Sequence, residues 1–303
     1  MNTPILLMPP TPAQAPELAA AIHALAPELD LTTWQRDLPP SALTRAEVVL
    51  GWRLNAAQIQ SLPALRWVCS MAAGVEKLLL PELPAEVQVS RVVDPEQALG
   101  MAQFVAMVML ARLRDLPRYQ AQQQARSWQR HPVAAAHPKV VVLGLGEVGR
   151  EIARVLQALG CEVQGWRRSS GPLPAFLGRA RPEFVVNVLP LTPATEGLLN
   201  AGAFAAMPRG AYIVNVARGG HLIEADLIEA LQSGQLSGAA LDVQQNEPLP
   251  PDDPLWTTPG VAITPHIAAQ SSLQTVAAQF IAGLRALQAG APLPNAVDRS
   301  LGY

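Results

Sequence analysis

Apolar residues in this chain come either as short unbroken runs or at the spacing of one helix face, and the two patterns alternate from end to end. Runs at residues 5–8, 47–50 and 67–69 predict strands, and residues 13–25 carry a helical period after the first of them. From residue 96 to about 128 the pattern turns helical, and over 101–113 it is unusually apolar. This stretch reads as one long interdomain helix lying at a domain or subunit interface, with Pro117 inside it. Pro132 and Pro138 then punctuate the chain. Beyond them come a strand (139–143), a helix (147–159), a strand (162–166), a proline-rich connection and strands at 184–189 and 211–215. A helix (224–231), strands at 239–242 and 261–264 and a final helical stretch (268–287) complete the series. Such alternation predicts an α/β fold with doubly wound parallel sheets.

One turn carries more information than the rest. Val140-Val141-Val142-Leu143 runs directly into Gly144-Leu145-Gly146-Glu147-Val148-Gly149, and an amphipathic stretch follows. Strand, Gly-x-Gly-x-x-Gly and helix is the order of the phosphate-binding turn in a dinucleotide-binding βαβ unit. Gly144 would permit the tight turn, Gly146 the approach of backbone to pyrophosphate, and Gly149 close packing of helix on strand. The pyrophosphate would rest on amides around Glu147 and Val148, where the helix dipole favours anions. Taken alone, the motif also describes a glycine-rich turn with no ligand. The flanking strand and helix favour a nicotinamide or flavin dinucleotide. The chain then divides into a dinucleotide-binding domain, residues 99–269, and a domain without a glycine fingerprint, residues 1–98, completed by 270–303.

Composition narrows the classes further. At 303 residues, half of them hydrophobic, the chain suits one large or two ordinary domains with a sizeable core. A net charge of −2 gives no electrostatic case for nucleic acid or for an anionic membrane surface. The two cysteines, Cys69 and Cys161, read as buried reduced thiols on strands, which suits a cytoplasmic protein. Residues 1–4 lack the basic-then-apolar order of a secretory leader, and no apolar run is long enough to span a bilayer. No metal-ligand spacing is present.

Three polar residues lie just beyond predicted strand ends. Arg218 sits in Asn215-Val216-Ala217-Arg218-Gly219-Gly220, Glu247 follows Leu241-Asp242-Val243, and His266 sits in Thr264-Pro265-His266. Ligands of open α/β sheets bind in the crevice beyond the carboxyl ends of strands, so all three point to the side where a nicotinamide would lie. Each also has a plain reading: a solvated loop arginine, a turn glutamate beside Pro248, a hydrogen-bonded core histidine. Only the combination favours chemistry.

The block from Tyr212 through Ala269, with Asn-Val-Ala-Arg-Gly-Gly, Gly-Ala-Ala-Leu-Asp-Val, Asn-Glu-Pro-Leu-Pro and Thr-Pro-His-Ile-Ala-Ala, resembles the D-isomer-specific 2-hydroxyacid dehydrogenases. Leu189-Pro190-Leu191-Thr192-Pro193-Ala194-Thr195 is similar to that family's loop beside the cofactor, and Ala72-Ala73-Gly74-Val75 to its substrate-carboxylate loop. Trp52-Arg53, Ser127-Trp128 and the short N-terminal domain lean toward the glyoxylate/hydroxypyruvate reductase branch. The resemblance implies two Rossmann-like domains with the active-site cleft between them, and it implies roles. His266 would be the general acid that protonates the carbonyl oxygen as hydride arrives. Glu247 would bond the imidazole and favour its charged form, and Arg218 would polarise the carbonyl and clamp the carboxylate. Ala73 and the amides of Gly74 and Val75 would hold the other side of the carboxylate, with Trp52 and Arg53 lining the pocket. Leu189, Pro190, Thr195, Val216 and Ala217 would line the cofactor, and Asp242 would accept from the nicotinamide carboxamide. A two-fold homodimer packed around 101–113 is also implied.

The second strand of the dinucleotide unit departs from the NAD pattern. An acidic residue is expected near its end to bind the ribose hydroxyls, but the chain reads Trp166-Arg167-Arg168-Ser169-Ser170. Two arginines and the Ser169 hydroxyl suit a 2′-phosphate, so NADP is expected in preference to NAD; a solvated basic turn is the alternative. His131 and His137 read as surface turn residues, and His221 as a weaker candidate for the crevice. The leading expectation is NADPH-dependent reduction of glyoxylate or hydroxypyruvate to the D-2-hydroxy acid. Bulkier 2-oxo acids such as phenylpyruvate, or a dinucleotide-sensing interaction protein on the same fold, are the alternatives.

Overall fold

A computed structural model of the chain describes residues 3–303. Met1 and Asn2, on which the leader reading partly rests, lie outside the described residues. The chain separates into two compact units: Met1–Asp94 with Ser271–Tyr303, and Pro95–Gln270.

The first unit is wound from β1 (Ile5–Met8), α1 (Ala15–His23), β2 (Leu31–Thr33), α2 (Pro40–Arg45), β3 (Val48–Gly51), α3 (Ala56–Gln60), β4 (Trp67–Ser70) and β5 (Gln88–Ser90). Its five strands are parallel, in the order β2-β1-β3-β4-β5. Residues of β1, β3 and β4 are buried throughout, as expected of unbroken apolar strands covered on both faces.

The second unit opens with α4 (Pro95–Leu113) and α5 (Leu116–Gln124), so the long helix expected over 96–128 is two helices. The break has a local cause. Asp115 adopts a left-handed φ of 56°, and Pro117, which has no N–H, stands in the first turn of α5 where none is needed. α4 belongs to the second unit, where Ala102, Val105 and Met109 share a core with Ile152 and Leu156. There follow β6 (Lys139–Leu143), α6 (Glu147–Ala158), β7 (Glu162–Trp166), α7 (Leu173–Ala180), β8 (Phe184–Asn187), α8 (Ala201–Ala205), β9 (Ala211–Asn215), α9 (Glu224–Gln232), β10 (Leu236–Leu241) and β11 (Val261–Ile263). All six strands are parallel, in the order β11-β10-β9-β8-β6-β7. β8 stops two residues short of its expected end, because the Leu189 amide turns to donate to Asn187 Oδ1 at 3.2 Å. The proline-rich connection contains α7, which tolerates Pro174 in its first turn.

The chain returns to the first unit as α10 (Leu273–Gln288), which begins later than residue 268 because Ser272 caps it, accepting from the Thr275 amide at 3.0 Å. Phe280 of α10 stacks on Trp67 of β4 with centroids 5.2 Å apart, and a Cβ on Gly283 would come within 2.6 Å of that indole. Both rings are fully buried, and burying each stabilises the unit by roughly 1.5–3 kcal/mol. Cys69 lies in β4, whereas Cys161 precedes β7 rather than lying in a strand; both thiols are free. Among the described residues, no helix is long and apolar enough to cross a membrane.

Candidate active site

Because every strand of the second unit is parallel, all six carboxyl ends open on one edge, and strand order fixes what stands beside what. Along that edge come His266 after β11, Asp242 and Glu247 after β10, Arg218 after β9, the loop from Leu189 after β8, the glycine turn after β6, and Arg167 and Arg168 after β7. The order reverses direction at β6, the topological switch point where open α/β sheets hold ligands.

The glycine turn is built for close approach. Gly144 has φ of +97°, which side-chain-bearing residues rarely adopt, and a Cβ on Gly149 would fall 1.9 Å from the Gly144 carbonyl oxygen. A Cβ on Gly146 would meet no atom within 4 Å, so the backbone there faces open space. Gly146 caps α6, and its carbonyl already accepts from Arg150 at 2.9 Å. The first-turn amides of α6, including those of Glu147 and Val148, have no acceptor within the helix and point out of its end. Buried Ile152 and Leu156 and the close fit of Gly149 hold this helix on the sheet. The turn therefore fits the diphosphate of a dinucleotide.

After β7, Arg167 and Arg168 are exposed, as is Ser169, on a short turn closed by the Ser170 amide donating to the Arg167 carbonyl at 2.8 Å. The Ser170 hydroxyl accepts from the Arg167 amide at 3.2 Å. Two cations thus stand just past the end of the strand that neighbours β6 and its glycine turn.

At the other end of the edge, His266 Nδ1 lies 2.9 Å from Glu247 Oε2. Glu247 Oε1 accepts from the Gln244 amide at 3.2 Å, so the carboxylate is tethered at both oxygens. His266 itself has φ of 56°, a left-handed conformation that costs a bulky residue on the order of 1–3 kcal/mol. Asp242 holds it there. Its carbonyl accepts from the His266 amide at 2.8 Å, and its fully buried carboxylate accepts from Thr264 Oγ1 at 2.5 Å and from the Ile267 and Ala268 amides at 2.9 Å each. This clamp was not evident from the sequence. Its signal was a carboxylate at the end of a buried strand with no cation nearby in sequence, which obliges it to find N–H or O–H donors.

Arg218 is half-buried, and its Nη1 donates to the Ala217 carbonyl at 2.7 Å. A Cβ on Gly219 would fall 2.0 Å from the Gln244 backbone, so the Arg218 loop is pressed against the loop that carries Glu247. Leu189, Val216 and Ala217 are buried on the same edge, and the Thr195 hydroxyl donates to the Pro190 carbonyl at 2.8 Å. His221, a weaker candidate by sequence, is fully buried among these loops. His131 and His137 belong elsewhere: the first exchanges hydrogen bonds with the Tyr119 hydroxyl through its backbone, and the second places Nδ1 2.9 Å from the Gly160 carbonyl.

In the first unit, Trp52 and Arg53 follow β3, and Ala72 through Val75 follow β4. That turn is internally bonded: the Ser70 hydroxyl accepts from the Ala72 amide at 3.1 Å and donates to the Gly74 carbonyl at 2.9 Å. Lys77 Nζ lies 5.8 Å from the Trp52 ring centre.

Comparison with known proteins agrees with this geometry. Residues 106–268 match the family model of the D-isomer specific 2-hydroxyacid dehydrogenase, NAD binding domain. Glyoxylate/hydroxypyruvate reductase A of Serratia proteamaculans is 35% identical over 95% of this chain and 96% of its own length. A D-isomer specific 2-hydroxyacid dehydrogenase from Xanthobacter autotrophicus Py2, solved with NADPH and MES, superposes over all of both chains with a TM-score of 0.89 at 35% identity. An NADPH-dependent glyoxylate/hydroxypyruvate reductase from Sinorhizobium meliloti, solved with NADP and sulfate, does so with the same TM-score at 33% identity.

Proposed function

The chain belongs to the D-isomer specific 2-hydroxyacid dehydrogenase family and is an NAD(P)-dependent oxidoreductase, and from that premise we propose that it reduces a small 2-oxo acid, glyoxylate or hydroxypyruvate, with NADPH. The observation that carries this reading is the His266–Glu247 pair at 2.9 Å, on the same sheet edge as the glycine turn. When bound, a nicotinamide cofactor would supply a hydride to the carbonyl carbon. The chain's own residues handle the charge that results. With Nδ1–H donated to Glu247 Oε2, His266 presents Nε2, from which it gives a proton to the nascent alkoxide. Glu247 stabilises the imidazolium and fixes the ring, and Arg218 polarises the carbonyl oxygen and holds the carboxylate. Asp242 keeps the imidazole at its station, and its carboxylate is the proposed acceptor for the nicotinamide carboxamide.

The cofactor assignment rests on Arg167, Arg168 and Ser169 beside the glycine turn, where a carboxylate would repel a 2′-phosphate and two guanidinium groups attract it. Trp52, Arg53 and the Ala73-Gly74-Val75 backbone are the proposed substrate contacts of the first unit. Initial rates with glyoxylate, hydroxypyruvate, phenylpyruvate and 2-oxoisocaproate, each with NADPH and NADH, test the whole reading. The two- and three-carbon acids with NADPH should give the highest kcat/KM. Faster turnover of phenylpyruvate would replace the substrate assignment, and no turnover of any acid would leave a dinucleotide-sensing protein.

We also assign the outer face of α4 to a two-fold contact with a second copy, since Met107 and Leu110 there are 56% and 40% exposed. Light scattering giving only the 32.3 kDa monomer would remove this assignment.

A further inference from the structure

Beneath the carboxyl edge of the second sheet, buried polar groups link the loop after β8 to the loop after β9. Asn187, Asn215 and His221 are each 0% exposed and Thr195 is 3%. The Leu189 amide donates to Asn187 Oδ1 at 3.2 Å, and Asn187 Nδ2 donates to Asn215 Oδ1 at 3.0 Å. Asn215 Oδ1 also accepts from the Ala217 amide at 3.3 Å, while Asn215 Nδ2 donates to the Arg218 carbonyl at 3.1 Å. His221 closes the circuit. Its Nδ1 stands 3.1 Å from the Arg218 carbonyl and its Nε2 3.2 Å from the Pro190 carbonyl, the same oxygen that accepts the Thr195 hydroxyl.

Two features make the imidazole more than a packed core residue. Backbone bonds between the loops (Gly197 to Gly220, Leu199 to His221, Ile223 to Leu199) lie away from Pro190 and Arg218. At those two positions, which flank the chemistry, the ring spans the gap. Moreover, a carbonyl oxygen only accepts, so each contact becomes a hydrogen bond when its nitrogen carries a proton. A wholly apolar ring would leave both oxygens to donors from their own loops, the Thr195 hydroxyl for Pro190 and the Asn215 side chain and His221 main-chain N–H for Arg218. A buried circuit of this kind permits few alternative arrangements. Since both nitrogens face main-chain carbonyls and the ring is fully buried, His221 does not address substrate as a proton donor.

We propose that His221 is a positioning residue that bridges the Arg218 and Pro190 carbonyls and thereby holds the Arg218 loop and the Leu189–Thr195 loop in one fixed register. The proposal rests on the reading above, in which Arg218 serves the substrate and the other loop lines the cofactor. A single side chain then couples substrate recognition to cofactor binding.

The test uses His221→Phe, which keeps a ring and removes both nitrogens, and His221→Gln, which restores N–H donors. NADPH Kd is measured by fluorescence titration, and kcat and KM are measured with glyoxylate across pH. For His221→Phe, both NADPH Kd and glyoxylate KM should rise about tenfold or more, with the shape of the kcat–pH profile unchanged, and His221→Gln should recover part of each. In an Arg218→Ala background, His221→Phe should change glyoxylate kcat/KM by less than about threefold, because it acts through Arg218. A lower Tm with Kd and KM unmoved would show a merely structural role and overturn the proposal, as would full additivity with Arg218→Ala. Should His221→Phe fail to fold, His221→Asn, whose shorter amide cannot span both carbonyls, decides by the same measurements. If Arg218→Ala itself leaves kcat/KM intact, the reading of the site has failed. If Arg218→Ala is damaging and His221→Phe is not, only this inference has.

Discussion

The two units wind their sheets alike. In each, the first strand lies between the second and the third, so each has a switch point at the carboxyl end of its first strand. The turns that leave those strands have opposite chemistry. After β1 the chain reads Pro9-Pro10-Thr11-Pro12 and makes a short 3-10 turn before α1. Three of those four residues have no N–H, and all carry side chains. After β6 the chain reads Gly144-Leu145-Gly146, and α6 begins at once, with open space where the Gly146 side chain would be. Winding alone therefore makes a crevice. Backbone donors at a bare helix end suit such a crevice to a diphosphate, and the turn after β6 offers them where the proline-rich turn after β1 does not.

The strongest test of that contrast is at the far end of the second edge. His266→Gln keeps size and hydrogen bonding but removes the proposed proton donor, so kcat should fall about 10²–10⁴-fold while NADPH still binds, as measured by steady-state kinetics and fluorescence titration. Loss of NADPH binding instead would mean that the two ends of the edge are not separable. Next in size is the glycine turn. Gly149→Ala places a methyl 1.9 Å from the Gly144 carbonyl oxygen, and relieving such overpacking typically costs 1–3 kcal/mol. NADPH Kd should rise about tenfold or more with a lower Tm, whereas Pro10→Ala in the first unit should leave Kd unchanged. Equal effects would erase the distinction between the two turns.

The Arg167→Ala, Arg168→Ala double variant sharpens the comparison within the second unit. A charge-assisted bond is worth roughly 1.5–3 kcal/mol, so the ratio of kcat/KM for NADPH over NADH should fall by at least about tenfold. An unchanged ratio would return these arginines to the status of a solvated turn. The smallest effect concerns the thiols. Burial pushes the Cys69 thiol of the first unit up to about 12, and it also raises the half-buried Cys161 thiol of the second. A thiol raised on folding holds its proton at pH values where the unfolded chain has lost it. At pH 8 an aromatic disulfide reagent should therefore label Cys161 slowly and Cys69 only on unfolding, with stability falling as pH rises past the ordinary thiol range. Rapid labelling of Cys69 in the folded protein would contradict its burial.

Much of the second unit is legible along the chain because the signals are local. An apolar run before Gly144 reads as a buried strand, and the glycines after it report a backbone conformation that neighbouring residues cannot disguise. Arg218, Glu247 and His266 are recognisable as polar residues just past strand ends. The helix break at Asp115 was missed because an apolar stripe continues in register up to it, and Pro117 is compatible with either a kinked helix or a new first turn. The short helices α7 and α8 were missed for a related reason: at 8 and 5 residues they carry too few turns for a period to show.

Residue type and spacing by themselves determined that this chain builds α/β units, that one of them presents a glycine turn to a dinucleotide, and which polar residues stand at strand ends. Those features depend on near neighbours, where hydrophobic period and backbone freedom act directly. Tertiary structure alone decided that β10 and β11 lie side by side, so that Glu247 meets a histidine 19 positions away, that Asp242 clamps that histidine in a left-handed turn, and that His221 joins two loops through their carbonyls. These contacts follow from strand order and burial, which are set by the packing of the whole sheet, and no local stretch of sequence specifies them.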